Sequence, residues 1–116
     1  MTDNYILGED GRTAVPCNDL MEWAAWYEKT PDRQVDNTAL TDSHGNAVRV
    51  STVFLSINHA YGPNESPLLF ETMIFGGSAD QYCRRCSTWD DAVRQHQSAL
   101  EYINTEDYYN GEYPDD

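Results

Sequence analysis

Basic residues are scarce in this chain: seven Lys and Arg stand against twenty Asp and Glu, a formal charge of −13. Such a surface repels nucleic-acid phosphates and anionic lipid headgroups, so neither direct nucleic-acid binding nor membrane adsorption is expected. Long apolar runs are missing, since no stretch approaches the ~20 residues of a membrane span. The start, Met1-Thr2-Asp3-Asn4-Tyr5, has no basic residue and only Ile6-Leu7 before Gly8, so the charged start and apolar core of a secretory signal are lacking. Cysteine is sparse and odd in number. Cys17, Cys83 and Cys86 suit reduced cytosolic thiols better than a closed disulfide framework, and the expected location is cytoplasmic. No nucleophile elbow, Walker loop, dinucleotide fingerprint or Ser/His/Asp arrangement occurs, and Gly76-Gly77 reads as a turn. These absences lower the expectation of an enzyme without excluding one.

What remains is one domain's worth of alternating and helical pattern, since 116 residues with 40% hydrophobic positions suffice for a single core. Tyr5-Ile6-Leu7 and Arg12-Thr13-Ala14-Val15-Pro16 flank a Gly- and Asp-rich turn, which predicts a small hairpin. Asp19 is placed to cap a helix, with Glu22 as its capping-box partner. Leu20, Trp23, Ala24 and Tyr27 then fall at i, i+3, i+4 and i+7, the stripe expected to face the core, and the helix stops before Pro31. Trp26 lies off that stripe.

Residues 38–42 and 47–58 read as two strands around the turn Asp42-Ser43-His44-Gly45-Asn46, the second long and rich in β-branched residues. Residues 68–75 and about 81–86 complete a meander. Ser87-Thr88-Trp89-Asp90-Asp91 offers hydroxyl caps and first-turn carboxylates. Trp89, Ala92, Val93, His96, Ala99, Leu100 and Ile103 follow at helical spacing, giving a second helix one apolar face. The predicted fold is α+β: residues 1–104 form a four-stranded antiparallel meander packed by two helices, with an N-terminal hairpin. Its expected core holds Phe54, Leu55, Phe70, Met73, Trp89, Val93 and Leu100. Residues 105–116 form an acidic, Tyr-rich tail.

The run Val50-Ser51-Thr52-Val53-Phe54-Leu55, then Asn58-His59, then Pro67-Leu68-Leu69-Phe70-Glu71-Thr72-Met73-Ile74-Phe75-Gly76-Gly77 stands between Leu20-Met21-Glu22-Trp23-Ala24 and Ser87-Thr88-Trp89-Asp90-Asp91-Ala92 with His96. Together these residues resemble a family of small phage- and prophage-encoded proteins without an established activity, over about residues 5–99. The resemblance implies a bacterial host cytoplasm as the setting and supplies no cofactor or catalytic residue. Cys83, Cys86 and the long tail depart from the family's pattern.

Cys83-Arg84-Arg85-Cys86 has the C-x-x-C spacing of zinc sites and redox dithiols. No second ligand pair exists among Cys17, His44, His59 and His96, and a strand would point the two thiols to opposite faces. No metal and no cofactor are therefore expected. His59, Glu71 and His96 are the candidate catalytic or metal cluster, because two imidazoles and a carboxylate can hold a metal with open positions. A symmetric loop between the central strands would set Glu71 opposite Leu55 and His59 opposite Pro67, about 14 Å apart along the strand. A Glu71–His96 contact would satisfy both groups without chemistry, and His44 reads as a solvated turn residue.

The carboxylate excess favours solubility, and it also suits a surface that engages a basic cleft on another protein, including clefts built for nucleic acid. The expected function is that of an acidic phage accessory protein that binds a host defence or nucleic-acid-processing protein, as an inhibitor that occupies its nucleic-acid cleft. Partner contacts are assigned to Glu106, Asp107, Tyr108, Tyr109, Glu112, Tyr113, Asp115 and Asp116, supported by Asp19, Glu22 and Glu28. The alternative is a small enzyme or metal-binding domain built on His59, Glu71 and His96.

Overall fold

A computed structural model describes residues 2–60, 62 and 65–103. Two short strands, β1 (Tyr5–Leu7) and β2 (Ala14–Pro16), form the predicted antiparallel hairpin, in which Ile6 pairs with Val15. Its turn is organised by Asp10, whose carboxylate accepts the Arg12 and Thr13 N–H groups at 2.8 Å. Helix α1 (Leu20–Lys29) follows, with Asp19 as N-cap accepting from the Met21 and Glu22 amides. Four strands, β3 (Gln34–Thr41), β4 (Ala47–Phe54), β5 (Phe70–Phe75) and β6 (Cys83–Cys86), build an antiparallel meander in sequence order. Helix α2 (Trp89–Ile103) closes the described chain, and Thr88 caps it by accepting the Asp91 amide on its hydroxyl. The fold is α+β.

The alternation along β4 and β5 decides which face α2 covers. Val48, Val50, Thr52 and Phe54 of β4 and Phe70, Thr72 and Ile74 of β5 are buried. Helix α2 meets them with Ala92, Gln95, His96, Ala99, Tyr102 and Ile103, a regular i, i+3, i+4, i+7 set. The core has two lobes. One gathers Val48, Val50, Ile74, Tyr82, Ala99, Tyr102 and Ile103, and the other gathers Phe54, Leu69, Phe70 and Ala92 with Trp26 and Trp89 packed against them.

Several expectations are corrected. Val93 is 49% exposed, because the buried set of α2 is centred on Gln95 and Ala99 and turns Val93 outward. Met73 belongs to the opposite sheet face, one step out of register with Thr72 and Ile74, and Leu55 is only half-buried. The long second strand ends at Phe54. Ser56 adopts a left-handed φ of 63°, and the chain beyond it pairs with the N-terminus: Tyr5 N–H donates to Ser56 O at 2.8 Å and Asn58 N–H to Asp3 O at 2.8 Å. The break also sets the register, so Glu71 lies opposite Val53 rather than Leu55. β3 begins four residues earlier than expected, at Gln34. β6 begins at Cys83, because Gln81 takes a left-handed turn, with a φ of 72°.

Helix α1 departs most from its predicted role. None of its residues is fully buried, and Leu20, Ala24 and Tyr27 of the expected core stripe are exposed. The inward face keeps Trp23 of that stripe and adds Trp26. The Trp23 indole N–H is shared between Tyr5 O at 3.1 Å and Ser56 O at 3.2 Å, and Trp26 meets the Phe54 ring edge-on at 5.7 Å. Two indoles bury far more apolar surface than Leu20 and Ala24 would, so they set the helix's rotation. At the far end of the sheet Gly76 permits a close strand approach: a Cβ there would sit 2.4 Å from Ala47 O, on a backbone with φ of +89°.

Candidate functional site

A buried polar constellation surrounds His96. Its position on the buried stripe of α2 lays the imidazole over β3, β4 and β5, with the side chain only 3% exposed. Nδ1 lies 2.7 Å from Thr52 Oγ1, which itself lies 2.7 Å from Thr72 Oγ1. Nε2 lies 2.9 Å from Thr38 Oγ1 and 3.6 Å from Asp36 Oδ2. Thr52 pairs directly with Thr72 on one side and with Asp36 on the other, and Thr38 follows two residues along β3 on the same face, so the sheet pairing itself assembles the cluster.

The Asp36 carboxylate favours the tautomer with the proton on Nε2. Thr72 then donates to Thr52, Thr52 donates to Nδ1, and Nε2–H points toward the half-buried Thr38 and the exposed Asp36, so the buried His96, Thr52 and Thr72 side chains each have a partner. Burial holds the His96 pKa below its usual 6.5, and the Asp36 charge opposes that shift without cancelling it. The order Asp, His, Thr superficially resembles a nucleophile relay. Thr52 and Thr72 are wholly buried, however, and a nucleophile must reach substrate. What this arrangement does chemically is satisfy a buried imidazole.

The other two members of the candidate cluster lie elsewhere, so His59, Glu71 and His96 are not brought together. Glu71 is on the uncovered face of the sheet, where its Oε2 accepts from Arg85 Nε at 2.9 Å. The alternation of β5 turns Glu71 away from α2, which rules out the Glu71–His96 contact. His59 is exposed beyond the strand, with Nδ1 2.8 Å from Ile57 O. Cys83 shares the uncovered face and lies 3.5 Å from Glu71 Oε2, and burial followed by the Glu71 charge pushes its thiol pKa up. A thiol raised in this way is a poorer nucleophile. Cys86 faces the α2 side, packing against the Phe70 lobe. Among the described residues no group of three or more His, Cys, Asp or Glu side chains is placed to hold a metal ion.

Asp19, Glu22 and Glu28 are all exposed on α1, Asp19 as its cap. Glu106, Asp107, Tyr108, Tyr109, Glu112, Tyr113, Asp115 and Asp116 lie outside the described residues. Among the described carboxylates only Asp42 is buried, and its oxygens accept the His44 and Asn46 amides within the β3–β4 turn. No described helix is long and apolar enough to cross a membrane. Sequence reasoning identified His96 as a packed histidine but missed Asp36, Thr38, Thr52 and Thr72. The available signal was a threonine in the buried register of both central strands. No family model, curated protein or solved structure matches the chain.

Proposed function

We propose that this chain is a non-enzymatic binding protein, a small acidic phage or prophage accessory factor that docks on a basic surface of a bacterial host protein. A defence or nucleic-acid-handling enzyme is the partner best suited to it, because carboxylates presented at phosphate positions gain from the same electrostatic steering that draws nucleic acid. The observation that carries the reading is the formal charge of −13. The exposure of nearly all the described carboxylates supports it, as does the burial of His96, Thr52 and Thr72 away from solvent. Tyr108, Tyr109 and Tyr113 suit such a contact, because tyrosine supplies area and a hydrogen bond at low entropic cost.

The test is a tagged full chain used to capture protein from bacterial lysate, followed by affinity measurement with the purified partner. Removing residues 105–116 deletes five carboxylates and three tyrosines. It should weaken the complex by about 10-fold or more while leaving the melting temperature within a few degrees. An unchanged affinity would make the segment a solubilising extension and remove it from the interface.

A further inference from the structure

We propose that the outward face of α1 is the hydrophobic anchor of the partner interface, and that it seats in an apolar groove rimmed by Lys and Arg on that partner. This inference rests on the acidic docking reading above and names the surface and the groove chemistry it requires. Leu20 is 64% exposed and Met21 79% exposed. Ala24 and Ala25 are exposed beside them. At 100° per residue these four side chains cover roughly 140° of the helix surface, an apolar stripe without a partner among the described residues. Amphipathic helices normally turn such a stripe inward, and here the inward face is taken by Trp23 and Trp26.

The helix is also preorganised. Asp19 fixes its first turn, Trp23 is hydrogen-bonded to two segments of backbone, and Trp26 is locked against Phe54. At its other end Arg33 stacks over the Tyr27 ring at 3.8 Å and bonds the Tyr27 carbonyl at 3.2 Å. A helix held by one face and apolar on the other gives up little conformational freedom when it enters a groove, which is the helix-in-groove mode of recognition.

Charge selects the occupant. Asp19 caps the helix just before the stripe, Glu28 continues it one turn beyond Ala24 and two beyond Met21, and Glu22 borders it, with Lys29 the one basic residue of the helix. A second copy would bring those carboxylates against their equivalents, on bodies that each carry −13. Anionic membrane is repelled for the same reason, and residues 105–116 carry five carboxylates and no basic residue. A positively charged protein groove is the complement that remains.

The experiment uses the full chain with a benzophenone-bearing residue in place of Ala25, irradiated in bacterial lysate, and the cross-linked peptide is identified by mass spectrometry. The result expected is a peptide from another protein that holds apolar residues flanked by Lys or Arg. With that protein purified, the double variant Leu20→Ala, Met21→Ala should bind at least about 10-fold more weakly, with its unfolding curve unchanged because both positions are exposed. Glu22→Gln with Glu28→Gln should weaken binding at low salt and lose its effect at high salt. Cross-linking to a second copy or to residues 105–116 overturns the anchor, and so does full affinity in the double variant. If that variant binds fully while truncation at residue 104 weakens the complex, the anchor fails and acidic docking stands. If no salt-sensitive complex with a basic protein forms at all, both fail.

Discussion

Replacing Phe70 with Ala should destabilise the protein by about 4 kcal/mol, the largest loss expected from any single truncation in the sheet. Phe70 is fully buried at the start of β5. Its ring tilts against Phe54 at 5.2 Å and meets Trp89 edge-on at 6.2 Å. Phe54 in turn carries Trp26 of α1, and Trp89 is the first residue of α2. Phe70 thereby joins the sheet to α2 directly and to α1 through Phe54, and its removal leaves a cavity that its two aromatic neighbours cannot close without losing their own edge contacts. Urea unfolding followed by tryptophan fluorescence measures the loss. A change below about 1 kcal/mol would mean that this lobe of the core is not the keystone described here.

Replacing His96 with Ala should cost about 3 kcal/mol, through the cavity and through the hydrogen-bond partner lost to Thr52 and Thr38. The native histidine should also make stability depend on pH. Its folded-state pKa is lowered below 6.5 by burial, so the unfolded chain binds the proton more readily than the folded one. Stability from this group is therefore fully present above about pH 6.5 and is lost as pH falls through that value toward the folded pKa. Protonation would make Nδ1 a donor and force the Thr72–Thr52 chain to reverse inside the core. Comparing unfolding at about pH 8 and about pH 5.5 in the wild type and in His96→Gln should show a steeper decline in the wild type. Equal slopes would contradict the buried, neutral assignment.

The parts of the fold that were legible are those written in local periodicity. The β-branched run around Val48 to Val53 and the apolar run around Phe70 to Phe75 announce strands, and the spacing from Ala92 to Ile103 announces a helix. The hairpin and both helix caps were legible in turn and cap chemistry. The orientation of α1 was not. A hydrophobic stripe shows that a helix has an apolar side, but whether Trp23 turns inward with Leu20 and Ala24 or with Trp26 depends on what each meets, and the backbone acceptors Tyr5 O and Ser56 O lie far away in sequence.

The break at Ser56 is of the same kind, since the left-handed serine is held by the N-terminal segment, which bonds Ser56 O and Asn58 N–H. The strand ends four residues earlier than expected, and Glu71 pairs with Val53 in place of Leu55, on the same uncovered face. His96 was readable as a packed histidine, whereas Thr38, Thr52 and Thr72 become its partners only once the register of three strands is fixed.

The central claim, that a −13 chain acts by docking on a basic protein surface, is tested most directly by the association rate of the purified complex as a function of salt. Steering by exposed charges is screened beyond ~8–10 Å at physiological ionic strength, so the on-rate should fall by at least about 10-fold between roughly 50 and 500 mM salt, with a much smaller change in the off-rate. An association rate that stays flat across that range would contradict electrostatic docking and leave the acidic surface with solubility as its role.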